Sequence, residues 1–534
     1  MKKYIFSIIV GIAFLSLCGL TAAPQASAQL TNIELLGKFV FFAEISFPPE
    51  RMGCVTCHVP ETGGTGGNPN VNLHQVAITG ANPHTVGVVK PPTNAYASLI
   101  PPFFAPCAFG FFGVCGGNFW NGRAEGNASP VFPFGATKHI GNEIFYTTNG
   151  TYIPSLQAYA AYFGATADQA LNPFPNPVEQ NIPRQNVCWD VASAPYAPLY
   201  KMVWGVPIDC SNTPVARLSD DGLAEKAFDI SFKRIVLAIC AWQHSADLNS
   251  FSSKRDIALA NQPNKQFPLN GFTDRENHGH DLFYNAIPLP FLPKNVPVGI
   301  DPTTGQVVLN NPPFPNLPVT NCSACHSDNP GIFIPGSITV PIVPPDTGVE
   351  PFQRYADNAY HNIGVPPNLE IPQTFNAAGQ FNDPDAGLFG HSGNANHLGF
   401  QKTPTLRNVD KRPDKHFIKA YTHNGWFKSL ESIVHFYNTA LIGGTTANSF
   451  GVTQCPAGIT TEKDALANNC WPAPAYNNAG IAIGLFIGDM GLTSDDERAI
   501  VAYLKTLTDY HTPEAPQLPH QGHNPCGHDG DERR

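Results

Sequence analysis

The sequence has few charged residues for its length. Its 534 residues include 31 Lys and Arg and 41 Asp and Glu, and this 13% share is about half of the roughly 25% usual for globular proteins. The net charge of −10 argues against nucleic-acid binding, which favours a basic surface, and is compatible with a basic redox partner. No solenoid-type repeat is visible. Beyond the N-terminal segment, no apolar run is long enough to span a bilayer, so we predict no membrane span.

Proline and glycine, in contrast, are abundant. The chain has 52 Pro and 47 Gly, yet 42% of its residues are hydrophobic and 11% are aromatic. A disordered chain would be poor in aromatic residues, so we expect helical cores joined by long ordered loops. The length is sufficient for more than one packed domain.

The N-terminus has the three parts of a secretory signal peptide. Two lysines precede an apolar run from Tyr4 to about Leu20, and an A-x-A sequence follows at 26–28. This pattern predicts cleavage after Ala28 and a periplasmic or secreted protein. A lipoprotein signal at Cys18 is the alternative, but Leu17 stands where a small residue is expected.

Thirteen cysteines are present, and an oxidising compartment permits disulfides. Leaving out Cys18, four of the remaining twelve belong to two motifs described below. Proximity along the chain favours three disulfides among the other eight, although sequence alone does not determine connectivity. The pairs are Cys107–Cys115, Cys188–Cys210 and Cys455–Cys470, which leave Cys240 and Cys526 unassigned.

Two C-x-x-C-H motifs occur, at Cys54–His58 and Cys322–His326. This is the attachment signature of c-type haem, in which two thiols bind the haem vinyl groups and the histidine becomes the proximal iron ligand. The motifs therefore predict two covalently bound haem c groups, held by Cys54, Cys57 and His58 and by Cys322, Cys325 and His326. A zinc site or a disulfide is the alternative, but zinc sites usually need four ligands close together.

We predict a mainly α fold with two cytochrome c-like haem domains and long Pro/Gly-rich loops. The expected boundaries are 29–270 for the first domain, which contains an insertion, 271–510 for the second, and 511–534 for a polar tail. Periodicity and capping residues predict four helices. They span Leu223 to about Asp247, Asp274–Tyr284, Ser429–Asn438 and Thr493–Thr508. The proline-rich segments 286–319 and 334–351 are excluded from helices.

Several short blocks between residues 35 and 510 resemble those of one family in the same order. They are FWNGR at 119–123, DQA at 168–170, NPVE at 176–179, HNIGV at 361–365, TPTLRNV at 403–409 and YTHNG at 421–425. Together they resemble the bacterial di-haem cytochrome c peroxidase and MauG family. The resemblance implies reaction with hydrogen peroxide at the first haem. It also implies a small periplasmic electron donor, either a cytochrome c or a cupredoxin.

Three residues take catalytic roles by this resemblance. Glu179 matches the carboxylate that lies over the peroxide-reacting haem, where it can move a proton between the two oxygens of the peroxide. Gln169 matches a hydrogen-bond donor in the same pocket. Trp120 matches a tryptophan between the two haems that relays electrons.

The resemblance also points to further iron ligands. Tyr437 stands where the peroxidases have a methionine ligand and MauG-type enzymes a tyrosine, and a phenolate favours high oxidation states of iron. His435 and Met490 are rival ligands. His74 matches a loop histidine that closes the first haem of many resting peroxidases, with His84 as its rival.

The sequence also departs from the family pattern. The two motifs begin 268 residues apart, farther than is usual in the family. Lys90 replaces the asparagine of the family's calcium site, which puts calcium in doubt. Other functions consistent with two haems are MauG-like oxidation of an organic or protein substrate, electron transfer without catalysis, and a dioxygenase reaction like that of rubber oxygenases.

Overall fold

The computed structural model describes residues 29–517, except 47–50, 108–112, 265, 288–292, 301–306, 328–330, 335–337, 342–352, 373–385, 442–446, 478–482 and 484–486. The predicted signal peptide and positions 518–534 of the predicted tail lie outside the described residues. The structure is mainly helical, as expected. The α-helices are α1 Asn32–Phe42, α2 Pro69–Leu73, α3 Ala165–Ala170, α4 Arg184–Ser193, α5 Ala197–Trp204, α6 Ala227–His244, α7 Lys254–Asn261, α8 Asp274–Phe283, α9 Cys322–Cys325, α10 Phe389–Ser392, α11 Leu430–Thr439, α12 Glu462–Ala467 and α13 Ser494–Lys505.

The described strands are short and form two-stranded sheets. Three pairs are antiparallel and the last is parallel. The pairs are β1 Pro297–Ile300 with β2 Val307–Leu309, β3 Gly331–Ile334 with β4 Ile338–Pro341, β5 Tyr360–His361 with β6 Gln401–Lys402, and β7 Thr453–Gln454 with β8 Cys470–Trp471. The pair β1–β2 lies in the proline-rich segment 286–319 and strand β4 lies in the segment 334–351, two segments from which the sequence excluded helices.

The first hydrophobic core is built around α6. This helix is buried along almost its whole length. Helix α1 packs directly against it. The two backbones approach closely at Gly37, where a Cβ atom would lie 1.8 Å from the carbonyl oxygen of Ala238. Only glycine allows this approach.

The second core repeats this construction with different helices. Helices α8 and α13 pack against each other, and their closest approach is again at a glycine. A Cβ atom on Gly279 would lie 1.9 Å from the carbonyl oxygen of Ala499. Each core therefore contains one glycine-mediated helix pair, whose first member precedes a C-x-x-C-H motif. The first core spans residues 33–248 and the second spans 259–507.

The predicted helices are present, but their ends differ. Helix α6 begins at Ala227 rather than Leu223, because the preceding residues form a bridge between Pro214 and Lys226. The predicted caps are confirmed, since the side chains of Ser429 and Thr493 accept hydrogen bonds from the backbone of α11 and α13. Nine of the described helices were not predicted from the sequence: α1, α2, α3, α4, α5, α7, α9, α10 and α12.

The three predicted disulfides are confirmed: Cys107–Cys115, Cys188–Cys210 and Cys455–Cys470. The described cysteines outside disulfides are Cys54, Cys57, Cys240, Cys322 and Cys325. All four cysteines of the two motifs are thus available for another bond. In the described part of the chain, no helix is long and apolar enough to cross a membrane.

Candidate active site

A cavity opens beside the first C-x-x-C-H motif. Its walls include Cys54, Cys57 and His58 together with two residues proposed for catalysis, Gln169 and Glu179. The structure therefore brings together the residues that the sequence placed at the first haem.

The two motif histidines are oriented in the same way. Nδ1 of His58 donates a hydrogen bond of 2.9 Å to the carbonyl oxygen of Gly64, and Nδ1 of His326 donates one of 3.0 Å to that of Tyr355. Such a bond leaves Nε2 as the ligating nitrogen and sets the direction of the ring. Burial lowers the pKa of both imidazoles, which favours the neutral form that binds metals.

Glu179 belongs to a tight turn that begins at Asn176. Its backbone N–H donates to the carbonyl oxygen of Asn176 at 3.0 Å, while the Asn176 amide donates to the Glu179 carboxylate at 2.6 Å. Burial raises the pKa of Glu179, and this effect is opposed by the charge of Arg123 and by the Asn176 hydrogen bond. A carboxyl group with a raised pKa is suited to accept and return a proton near neutral pH.

Gln169 lies on α3, and its neighbour Asp168 anchors this short helix. The Asp168 carboxylate is buried and accepts a hydrogen bond of 3.0 Å from the backbone N–H of Ile140. It also pairs with Nδ1 of His139 at 3.0 Å. The sequence had placed Asp168 in a family block without a role. Its anchoring contacts come from residues 28 and 29 positions earlier in the chain, so no local pattern could reveal them.

A second cavity lies beside the second motif. Cys322, Cys325 and His326 line it, together with Tyr437 and Met490. Burial raises the pKa of Tyr437, and the nearby thiols add to this shift. Both Tyr437 and Met490 thus remain possible ligands in the second cavity.

The third rival ligand, His435, points elsewhere. Its Nδ1 lies 3.0 Å from a carboxylate oxygen of Glu497, and its side chain does not line the second cavity. Neighbouring positions on a helix face different directions, so α11 presents Tyr437 to the cavity and His435 away from it.

Trp120 lines both cavities. Its indole N–H donates to the carbonyl oxygen of Lys90 at 2.9 Å, and its own carbonyl oxygen accepts from the backbone N–H of Lys402 at 2.9 Å. The side chain is buried. The residue therefore occupies the position between the two sites that the sequence indicated.

His74 does not reach the first cavity in this structure. Its side chain is about half exposed and pairs with Glu370, with Nδ1 3.3 Å from a carboxylate oxygen. Its carbonyl oxygen accepts hydrogen bonds from Asn368 and Lys428. These contacts hold the loop away from the cavity. His84, the rival ligand, also lies outside the cavity lining.

Residues 31–264, which cover the first core, match the family model described as di-haem cytochrome c peroxidase. This part of the chain therefore resembles the di-haem cytochrome c peroxidase family. The diheme peroxidase BthA from Burkholderia thailandensis E264 has a similar fold, with a TM-score of 0.54 at 19% identity over 91% of this chain and 88% of that chain. A variant of BthA with one tyrosine replaced by methionine matches over the same shares at 20% identity and the same TM-score. Among curated proteins, none matches the sequence.

The residues beside the two motifs fit the two haems that the resemblance implies. The thiols at both motifs are not joined in disulfides. Burial, aided by the Glu179 carboxylate, raises the pKa of both Cys54 and Cys57 to about 12, so these are protonated thiols rather than thiolates at neutral pH. A structural zinc site would need four ligands. In the described part of the chain, one group of three possible metal ligands was found, Cys325 with Asp357 and His361.

The residues at the predicted calcium position do not fit a cation. The Lys90 side chain is buried, and its Nζ donates to Oγ1 of Thr65 at 2.8 Å. Burial lowers the pKa of Lys90 to about 8. A second positive charge beside this ammonium group would be repelled, which agrees with the doubt raised by the sequence.

Proposed function

We propose that this protein is a di-haem c-type peroxidase that reduces hydrogen peroxide in the cavity beside His58. The observation that carries the proposal is the enclosure of Glu179, with its raised pKa, in the same cavity as His58. Two cytochrome c-like domains would hold covalent haems through the thiols of the two motifs, with His58 and His326 as proximal ligands. Residues 1–28 would direct the protein to the periplasm or outside the cell.

The haem would supply the iron redox chemistry, while the protein would move the proton. Heterolysis of the O–O bond requires a proton to pass from the inner oxygen to the outer one. Glu179 would accept it and return it, and Gln169 would donate a hydrogen bond to the developing charge. The hydrogen bond from Asn176 would keep the carboxylate oriented.

Electrons would enter through the haem beside His326 and pass Trp120. The contact of Trp120 with both cavities supports this route. The donor would be a small periplasmic cytochrome c or a cupredoxin, because a compact redox protein can approach a single haem edge.

One observation favours a second candidate, MauG-like oxidation of an organic or protein substrate. Tyr437 lines the second cavity, and an anionic tyrosine ligand would favour high iron oxidation states. Because His74 lies outside the lining of the first cavity, that site would be open to peroxide without prior reduction. A plain electron carrier or a rubber-oxygenase-like dioxygenase would have no use for Glu179.

The test compares Glu179→Gln with the parent protein in peroxide removal and in stopped-flow haem absorption. General acid–base catalysis contributes about 10²–10⁴-fold, so we expect a loss of at least about 100-fold. Glu462→Gln is the matched control, because Glu462 is also a carboxyl group whose pKa is raised by burial but it lines neither cavity.

The oxidation state that reacts distinguishes the two candidates. Reaction of the fully oxidised protein with peroxide favours the MauG-like function, whereas a requirement for one reduced haem favours a gated peroxidase. Equal rates for parent and Glu179→Gln would contradict the assigned role of Glu179. A haem-loaded protein that does not react with peroxide at all would contradict both functions.

A further inference from the structure

The second cavity is lined by positive side chains. Three lysines and one arginine contribute to its walls, and the described lining contains no aspartate or glutamate. The four residues are Lys90, Lys402, Arg407 and Lys419. This concentration is unexpected in a chain with a net charge of −10, and the rest of the lining is predominantly apolar.

Three of these four charges are matched by protein atoms. Nζ of Lys419 donates to three backbone carbonyl oxygens at 2.8–2.9 Å, and Nζ of Lys90 donates to Thr65. The guanidinium of Arg407 forms an ion pair with Asp256. Since buried charges are normally paired or hydrogen-bonded, these three need no further partner.

Lys402 is the exception. Its side chain is only 9% exposed, yet among the described residues no acceptor forms a hydrogen bond or ion pair with its Nζ. The carboxylate of Asp357 attracts it weakly, but that group is already paired with His361 at 2.7 Å. A buried ammonium group in this state requires an anionic partner that the protein does not provide.

The position of Lys402 shows where such a partner would lie. Its side chain lines both cavities, as do those of Trp120 and the following residues 403–405. The backbone is held firmly, because Lys402 N–H donates to the Trp120 carbonyl oxygen and β6 pairs with β5 at Tyr360. A group bound in either cavity could therefore lie beside Lys402.

We propose that Lys402 binds a propionate carboxylate of bound haem at the border of the two cavities. This inference rests on the proposed function, since it requires haem in these cavities. A planar, mainly apolar ligand with two carboxylates matches an apolar cavity that has one unmatched cation. The ion pair would orient the haem beside Trp120. The positive charge would also stabilise the reduced iron and so raise the reduction potential.

The experiment uses the full-length haem protein and compares Lys402→Met with Lys402→Arg. Lys415→Met is the control, because Lys415 is exposed and lines neither cavity. Haem content, resonance Raman bands of the propionates and reduction potentials are measured. For Lys402→Met we expect altered propionate bands. We also expect the ratio of oxidised to reduced iron to rise about tenfold at one haem or both, which lowers the reduction potential by about 59 mV for a one-electron couple. Lys402→Arg should retain the parent potentials.

The outcomes separate this inference from the proposed function. Absence of haem from the parent protein would contradict the proposed function. Normal haem content in Lys402→Met, with unchanged propionate bands and potentials, would overturn the assignment of Lys402 alone. If Lys402→Met fails to fold, Lys402→Arg tests the proposal instead. Because arginine keeps the positive charge, its reduction potentials should equal those of the parent protein. A change in potential as large as about 59 mV would overturn the proposal.

Discussion

Replacement of Lys419 by methionine tests how the two halves of the chain are held together. The Lys419 ammonium group is 5% exposed and donates to the carbonyl oxygens of Thr62, Asn408 and Lys411 at 2.8, 2.8 and 2.9 Å. Thr62 follows the first haem motif, whereas the other two carbonyls belong to the second half of the chain. One side chain thus connects the surroundings of both cavities.

The expected loss of stability follows from these three bonds. The carbonyl of Asn408 still accepts from the backbone N–H of Lys411 at 3.0 Å, so the variant removes the donor of two carbonyls, those of Thr62 and Lys411. Each buried carbonyl left without a donor costs about 1–3 kcal/mol. Methionine has a similar length, so it leaves little empty space, and removal of the buried charge recovers part of the several kcal/mol spent on desolvation. We therefore expect the free energy of unfolding to fall by about 3 kcal/mol in Lys419→Met.

Urea unfolding followed by far-UV circular dichroism measures this change. Lys415→Met is the control, since Lys415 is exposed in the same segment and surface substitutions usually change stability by less than about 0.5 kcal/mol. Equal stability of the two variants would refute the reasoning, because it would mean that the carbonyls of Thr62 and Lys411 do not depend on the ammonium group.

Two further predictions concern the cavities. Asn176→Ala removes the hydrogen bond that lowers the pKa of Glu179, so the pKa should rise. The acid limb of the pH profile of peroxide activity should therefore move to higher pH. An unchanged profile would contradict the link between this hydrogen bond and the pKa of Glu179. Tyr437→Phe should change the haem absorption spectrum and raise the potential of the second haem, because a phenolate ligand favours oxidised iron. A spectrum that changes in Met490→Ala but not in Tyr437→Phe would assign the ligand to Met490.

Local sequence patterns were sufficient for several features of this protein. The C-x-x-C-H spacing located both motifs, since two thiols and an imidazole must reach one haem from a single turn of chain. Short separations along the chain predicted all three disulfides. Capping residues located the starts of α11 and α13, because a cap acts on the backbone only three residues away.

The short helices were not predictable in the same way. Helices α4 and α5 have only 10 and 8 residues, too few for a clear periodic pattern, and isolated helices of this length are unstable without tertiary contacts. The close approach at Gly37 and Gly279 likewise depends on a partner helix about 200 residues away in the sequence.

The arrangement of the site was decided by tertiary structure. The sequence named Tyr437, His435 and Met490 as rival ligands, but only the packing of α11 turns His435 towards Glu497 and away from the cavity. The unmatched charge of Lys402 could not be seen in the sequence either. A lysine is paired or unpaired according to which distant acceptors surround it, and chain folding alone determines those neighbours.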